Sequence, residues 1–401
     1  MRVVVDKSAQ IQVRARRARA AVCGVFAANG FLFAIWVVHI PTIERRTDIS
    51  HSTLGSLLLI LAAGAIVGMQ TSGPLSDRFG SNRLVTIAGI LLASALIGPA
   101  LSNHVIALGV SLFFFGMFNG ALDVSMNSQA VDVERLYPRP IMSTFHALFS
   151  IGGVLGSLIG AITLSADVPI TVAMGSAAVL GASVIALCSR FLLSGSQEQA
   201  DGEESAAHGH FSPRVLALGA LAFALLLSEG VANDWSTLQV KEHLGTSDGT
   251  AALAFGFFAT MMTVGRFCAD RISGRFGPVA VVRYGNLIAA AGMVLVLVSD
   301  WLPLTLAGWA AFGLGLSGSV PQIFTSAGNL GTSAAATNMS RVVGMGYVGL
   351  LAGPAIIGWM SHFVSLTVAM AVPLTLTVIA ALAAGTVRSR STHEVCRSAQ
   401  R

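Results

Sequence analysis

The sequence predicts an all-α membrane protein of twelve transmembrane helices, built as two six-helix bundles related by a pseudo-two-fold axis. Three observations predict it. Charged residues are only 11% of the 401, and hydrophobic residues are 54%. A soluble domain carries about 25% charged residues, so this chain lacks the charge to cover a water-facing surface. Twelve apolar runs reach the roughly twenty residues that a helix needs to cross the hydrocarbon. Finally, the polar, acidic stretch SGSQEQADGEESAAHGH at 194–210 reads as a flexible linker that divides the runs into two sets of six.

The first run, 19–40, follows the basic segment ending at Arg19. It is too long for a signal h-region and ends in no small-residue cleavage site, so it reads as an uncleaved first span. The next runs are 53–73, 84–102, 104–128, 141–163 and 169–192; beyond the linker come 215–240, 250–268, 279–298, 303–327, 339–361 and 364–387. The organisation is therefore an N-terminal bundle at 1–193, a cytoplasmic linker at 194–213, a C-terminal bundle at 214–388 and a cytoplasmic tail at 389–401.

Basic residues set the orientation of such a chain. With the N-terminus in the cytoplasm, 21 of the 24 Lys and Arg fall on the inner side, and only Arg45, Arg46 and Lys241 fall outside. Both termini are expected to be cytoplasmic. The net charge of +5 is scattered in short clusters between apolar runs, which argues against nucleic acid as a partner. The four cysteines, Cys23, Cys188, Cys268 and Cys396, have no metal or redox spacing. No phosphate-cradling G-x-x-x-x-G-K-[ST] occurs, so direct use of ATP is not expected, and no nucleophile–base arrangement marks an enzyme. No cofactor and no metal are expected.

The two halves echo each other. SDRFG (76–80) follows the second run and ADRISGRFG (269–277) the eighth, with the Asp-Arg pairs 77/78 and 270/271 offset by 193 residues. GMFNGALDVSMN (116–127) is matched by GLGLSGSVPQIF (313–324), and Gly152-x3-Gly156-x3-Gly160 by Gly349-x3-Gly353. Small residues every four positions let helix backbones approach closely. Two repeated six-helix halves are a known plan for secondary transporters.

Gly73, Leu75, Ser76, Asp77, Arg78, Gly80 and Arg83 fit G-x-L-[AS]-D-R-x-G-x-x-[RK], and so this segment resembles the signature loop of the major facilitator superfamily. The second copy keeps Asp270 and Arg271, and its spacing then drifts. MNSQA, STFHALFSIGGVLGS, EGVANDWS and GYVGLLAGPAIIGW look like the YbjJ/MosC-type branch, a relative of sugar permeases such as the fucose–proton symporter. The resemblance covers essentially the whole chain. It implies a bacterial inner-membrane permease, working as a monomer, with spans 1, 4, 7 and 10 lining a central cavity. In that setting Asp77, Arg78 and Arg83, with Asp270 and Arg271, are expected to latch one conformation, because an aspartate can accept hydrogen bonds from a neighbouring helix N-terminus and pair with arginine.

Ionisable residues inside spans are costly and usually functional. Away from span ends the acids are Asp123 in span 4 and Glu229 and Asp234 in span 7. Residues four apart share a helix face, so Gly116, Asn119, Gly120, Asp123 and Asn127 form one stripe, and Glu229, Asn233 and Ser236 another. Asp123 and Glu229 are the candidates for proton coupling, with His146 as relay and Arg341 as ion-pair partner. Alternatively, Asp123 forms a static bond to Arg341 or His146. Candidate substrate-binding residues are Asn29, Trp36, Asn119, Asn127, Glu229, Asn233 and Gln322, with amides for hydroxyls and Trp36 for stacking. Span 1 lacks the acid expected of sugar-permease relatives, which shifts weight to Glu229.

These readings converge on a proton-coupled secondary transporter of a small polar solute such as a sugar or cyclitol. Proton-driven export of amphiphilic compounds is the rival within transport. Outside it stands a non-transporting sensor of the same fold.

Overall fold

The computed structural model describes residues 2–49, 51–194, 212–246, 248–251, 253–330 and 335–388. The core of the linker, 195–211, and the tail from 389 lie outside the described residues. Among the described residues, helices account for every regular element. In hydrocarbon a helix satisfies each backbone donor and acceptor within one segment, and runs this apolar have no other open solution.

The elements are α1 (Arg2–Thr47), α2 (His51–Phe79), α3 (Ser81–Ala95), α4 (Ile97–Leu101), α5 (Val105–Glu134), α6 (Met142–Ser165), α7 (Ile170–Ser189) and α8 (Pro213–Leu244). They continue with α9 (Asp248–Ala251), α10 (Leu253–Phe276), α11 (Pro278–Val298), α12 (Leu302–Leu316) and α13 (Ser319–Gly328). The last are α14 (Ala335–Met360), α15 (Leu366–Ala369) and α16 (Ala371–Leu382), which runs into a 3₁₀ turn at Ala383–Val387. Among the described residues, ten helical segments are long and apolar enough to cross a membrane, including α3 joined to α4 and α15 joined to α16 with its 3₁₀ turn. The two spans outside this set are α10, which carries Arg266 and Asp270, and the broken pair α12–α13.

Three spans read as single helices are broken, and proline is the reason. Proline lacks the N–H, and its ring clashes with the carbonyl four residues back. Accordingly α3 ends at Ala95, four before Pro99, and α15 ends at Ala369, four before Pro373. Likewise α12 gives way at Ser317, four before Pro321. In contrast α1, α2 and α14 carry Pro41, Pro74 and Pro354 without interruption. Helix α1 is longer than its apolar run at both ends, because Arg, Ala and Gln are good helix formers and the hydrogen-bond ladder does not stop where the hydrophobicity does.

Helix starts show the expected chemistry. The Ser212 hydroxyl accepts from the Val215 N–H ahead of α8, and the Ser365 hydroxyl accepts from the Val368 N–H ahead of α15. Before α3 and α11, Gly80 and Gly277 adopt φ of 88° and 83°, a region closed to most side chains.

The described residues form two units, one drawn from Met1–Ala206 with Thr332–Gly344, the other from Ala207–Gly331 with Met345–Arg401. Within the first, glycines seat helix against helix. A Cβ on Gly152 or Gly156 of α6 would collide with the carbonyl oxygens of Ala27 or Phe31 in α1. One on Gly116 or Gly120 of α5 would strike those of Leu61 or Ala65 in α2. The second unit repeats this. Gly349 and Gly353 of α14 meet Phe223 and Leu227 of α8, and Gly313 of α12 meets Phe258 of α10. Equivalent glycines lie 197 residues apart in each case.

That spacing corrects the register of the signature loops. Gly80 pairs with Gly277, and the Arg78 guanidinium over Phe79 (5.1 Å) pairs with Arg275 over Phe276 (5.2 Å). The match is therefore Ser76-Asp-Arg-Phe-Gly80 to Ser273-Gly-Arg-Phe-Gly277, and Gly274 stands where the first half has Asp77. Asp270 and Arg271 lie one turn earlier on α10 than the offset of 193 placed them; Asp270 is buried and Arg271 exposed.

Candidate functional site

In the first unit the polar residues gather on α5 and its neighbours. Asp123 is 7% exposed and Asn127 fully buried. The Asn127 side-chain amide donates to the Asp123 backbone carbonyl at 2.8 Å and to its carboxylate Oδ1 at 3.3 Å. One turn away, Asn119 is buried on the same face, and Asn29 of α1 points its amide at the Met126 sulfur, 3.8 Å away. The Oδ1 atoms of Asn29, Asn119 and Asn127 are buried with no hydrogen-bond partner among the described residues. The two glycines of the stripe, Gly116 and Gly120, do not line open space; they are taken up by the backbone of α2.

The structure places the other first-unit candidates as follows. Trp36 is 1% exposed and packs against Phe115, ring centroids 6.2 Å apart, so in this conformation neither ring face is open. His146 on α6 sits edge-on to Phe26 at 5.4 Å. Arg341, half-buried near the start of α14, belongs to the same unit as Asp123 and His146.

Asp77 caps a helix. Its Oδ1 accepts from the Ala336 N–H (3.0 Å), and its Oδ2 accepts from the Thr337 N–H (2.9 Å) and hydroxyl (2.6 Å), all at the first turn of α14. A carboxylate there meets both the free donors and the positive end of the helix dipole. Gly73 permits the approach, because a Cβ would lie 2.5 Å from that of Ser340. Ser340 in turn donates to the Met69 carbonyl. Arg83, like Arg78, is exposed.

In the second unit, Glu229 of α8 accepts from Arg266 of α10 at 3.3 Å, and the same guanidinium nitrogen lies 3.2 Å from the Met262 sulfur. Each side chain of the pair is about one-fifth exposed, at 19% and 18%. Gln322 of α13 accepts from the Ser273 hydroxyl at 2.8 Å, which ties α13 to α10. Asn233 and Asp234 are exposed, whereas Ser236 is buried. The structure thus joins Asp123 to Asn127, and Glu229 to a partner the sequence reading had not proposed.

Sequence reasoning missed Arg266 as a site residue because it lies two residues from the end of the run 250–268, where a basic residue reads as inner-side charge; its place inside an apolar run was the signal. It also missed two buried glutamines. Gln239 links Thr367 and the Trp309 indole N–H. Gln129 donates to Ser81 and the Leu193 carbonyl and accepts from the Leu193 N–H. A neutral amide within an apolar run gives no periodic sign of its partner.

The family model for the Major Facilitator Superfamily matches residues 21–237 and 218–400. The chain belongs to the Major Facilitator Superfamily. An uncharacterized MFS-type transporter of Yersinia pestis is 34% identical over 367 residues, covering 90% of this chain and 94% of the relative. The membrane protein MosC of Rhizobium meliloti is 31% identical over 366 residues, covering 90% and 88%. Among solved structures, FucP in its outward conformation superposes with a TM-score of 0.78 at 15% identity, covering 92% of this chain and 98% of FucP. As a member of this superfamily the chain is a multi-pass membrane transporter of small molecules, not an enzyme, and α10 with the broken α12–α13 pair completes its twelve-helix fold.

Proposed function

We propose that the chain moves a small polar solute, a sugar, cyclitol or related metabolite, by alternating access coupled to protons. The observation that carries this reading is the carboxylate–amide group on α5. Asp123 lies buried within a membrane-spanning helix, one turn from each of two asparagines whose carbonyl oxygens have no partner among the described residues. An ionisable group at such depth costs about 2.5–3.5 kcal/mol on insertion scales and is retained where it handles an ion or substrate. Amides offer both donors and acceptors, as hydroxyl recognition needs, and a carboxyl can carry the proton. The Glu229–Arg266 pair supplies a second polar group, on α8 and α10. A similar fold in a protein described as a fucose:proton symporter agrees with this class of cargo.

The proton gradient is then the energy source and no cofactor is needed. The bacterial relatives support the cytoplasmic membrane, and the bias of basic residues supports both termini inside. The chain acts as a monomer.

The test is transient current from proteoliposomes on a solid-supported membrane, with sugars, cyclitols, amino-cyclitols and lipophilic cations applied in turn. A polar solute is expected to give a current that Asp123→Asn abolishes and Glu229→Gln reduces at least tenfold. A response to lipophilic cations alone would replace the reading with export. Ligand-induced thermal stabilisation with neither current nor radiolabelled flux would replace it with sensing.

A further inference from the structure

Three arginines border one pocket at the end of the first unit opposite the α1–α2 turn. The pocket holds about 580 Å³ and is walled by Val13, Arg14 and Arg17 of α1 and by Arg190, Phe191 and Leu192, which follow α7. No carboxylate is among its described lining residues. Two features mark it as built. The segment after α7 is pinned, since Gln129 holds both the N–H and the carbonyl of Leu193, at 3.1 and 2.8 Å. Beside the charges, Val13 and Phe191 are 49% and 41% exposed, so apolar surface and cationic surface meet at the pocket's edge.

We propose that this pocket binds the phosphate of an anionic glycerophospholipid from the adjoining leaflet. The arginines stand where the membrane-spanning segments Gln12–Ile40 and Ile170–Ser189 end, which is the depth of the headgroups. Guanidinium groups match phosphate bidentately and shed water more readily than ammonium. Three like charges around one pocket repel one another, and an anion offsets that. Val13 and Phe191 then lie against the glycerol and the upper acyl chain, which a soluble phosphate would leave uncovered. Basic pockets between transmembrane helices are known to hold anionic headgroups.

Native mass spectrometry of the full chain, released from micelles with equal phosphatidylglycerol and phosphatidylcholine of matched acyl chains, reads which lipid is retained. The wild type is expected to keep phosphatidylglycerol. R14Q/R17Q/R190Q is expected to lose the preference, each arginine contributing about fivefold. R139Q/R275Q/R283Q removes the same charge elsewhere and is expected to change nothing; an equal loss there would overturn the site in favour of bulk charge. Phe191→Ser keeps every charge and is expected to weaken phosphatidylglycerol retention severalfold, even if the triple variant does not fold. Unchanged retention in Phe191→Ser, with thermal stabilisation of the wild type by inorganic phosphate equal to that by phosphatidylglycerol, would overturn the lipid in favour of a soluble anion. Neutralising Glu198, Asp201, Glu203 and Glu204 is expected to leave retention unchanged. A severalfold gain would instead identify the chain's own acidic stretch as the occupant.

Discussion

Glu229 and Arg266 meet at 3.3 Å between two helices of one unit, and each has most of its surface withdrawn from water. Removing one partner leaves the other charge poorly solvated, which is costlier than removing both. Glu229→Gln is therefore expected to lower thermal stability in detergent by up to about 3 kcal/mol, and Glu229→Gln with Arg266→Gln to recover most of that loss. Additive losses in the double-mutant cycle would show that the pair is not coupled. At this scale the acids were legible, because Asp123 and Glu229 are charges in apolar runs. Arg266 was not, since charge near a run's end reads equally as loop. Trp36 was legible as an aromatic within the first span, but that place does not tell a ring in a cavity from a ring packed on Phe115.

Among the helices, existence and order followed from hydropathy, whereas breaks and contacts did not. The proline rule acts three times at four-residue distance yet spares Pro41, Pro74 and Pro354, so a proline in a run does not by itself mark a break. The glycine stripes were legible as close-approach surfaces; which backbone each meets was not. Their weight can be measured. Gly116→Ala and Gly313→Ala each place a methyl group into a facing backbone carbonyl. Backbone cannot rotate away, so each is expected to cost about 1–3 kcal/mol and to lower the melting temperature. Gly175→Ala on α7 meets nothing within 4 Å and is expected to be neutral or slightly stabilising. Equal effects at all three sites would mean that packing is not what these glycines supply.

Over the whole molecule, α14 is shared, with its start grouped in one unit and the rest from Met345 in the other. Asp77 caps that start. Asp77→Ala is expected to cost about 0.5–2 kcal/mol and to speed amide exchange at Ala336 and Thr337 by roughly 2- to 30-fold, whereas Gly274→Asp leaves those amides unchanged. Unaltered exchange in Asp77→Ala would show that the carboxylate does not hold this turn. The sequence pattern matches Asp77 to Asp270 with a spacing that drifts; the register of Gly80 and Gly277 sets a carboxylate in one loop against a glycine in the other.

The constant spacing of 197 bears on ancestry. Gly116 and Gly313, Gly152 and Gly349, and Gly156 and Gly353 keep both their spacing and the kind of neighbour they touch. Arg78 and Arg275 do so too, but the charged positions of the candidate site do not. On the same register Asp123 corresponds to Val320, Arg266 to Met69 and Asp77 to Gly274. A duplicated six-helix precursor would have handed both copies the same joints, and each copy then acquired its own ionisable groups. Packing is what descent preserved in this molecule, and chemistry is where its two halves parted.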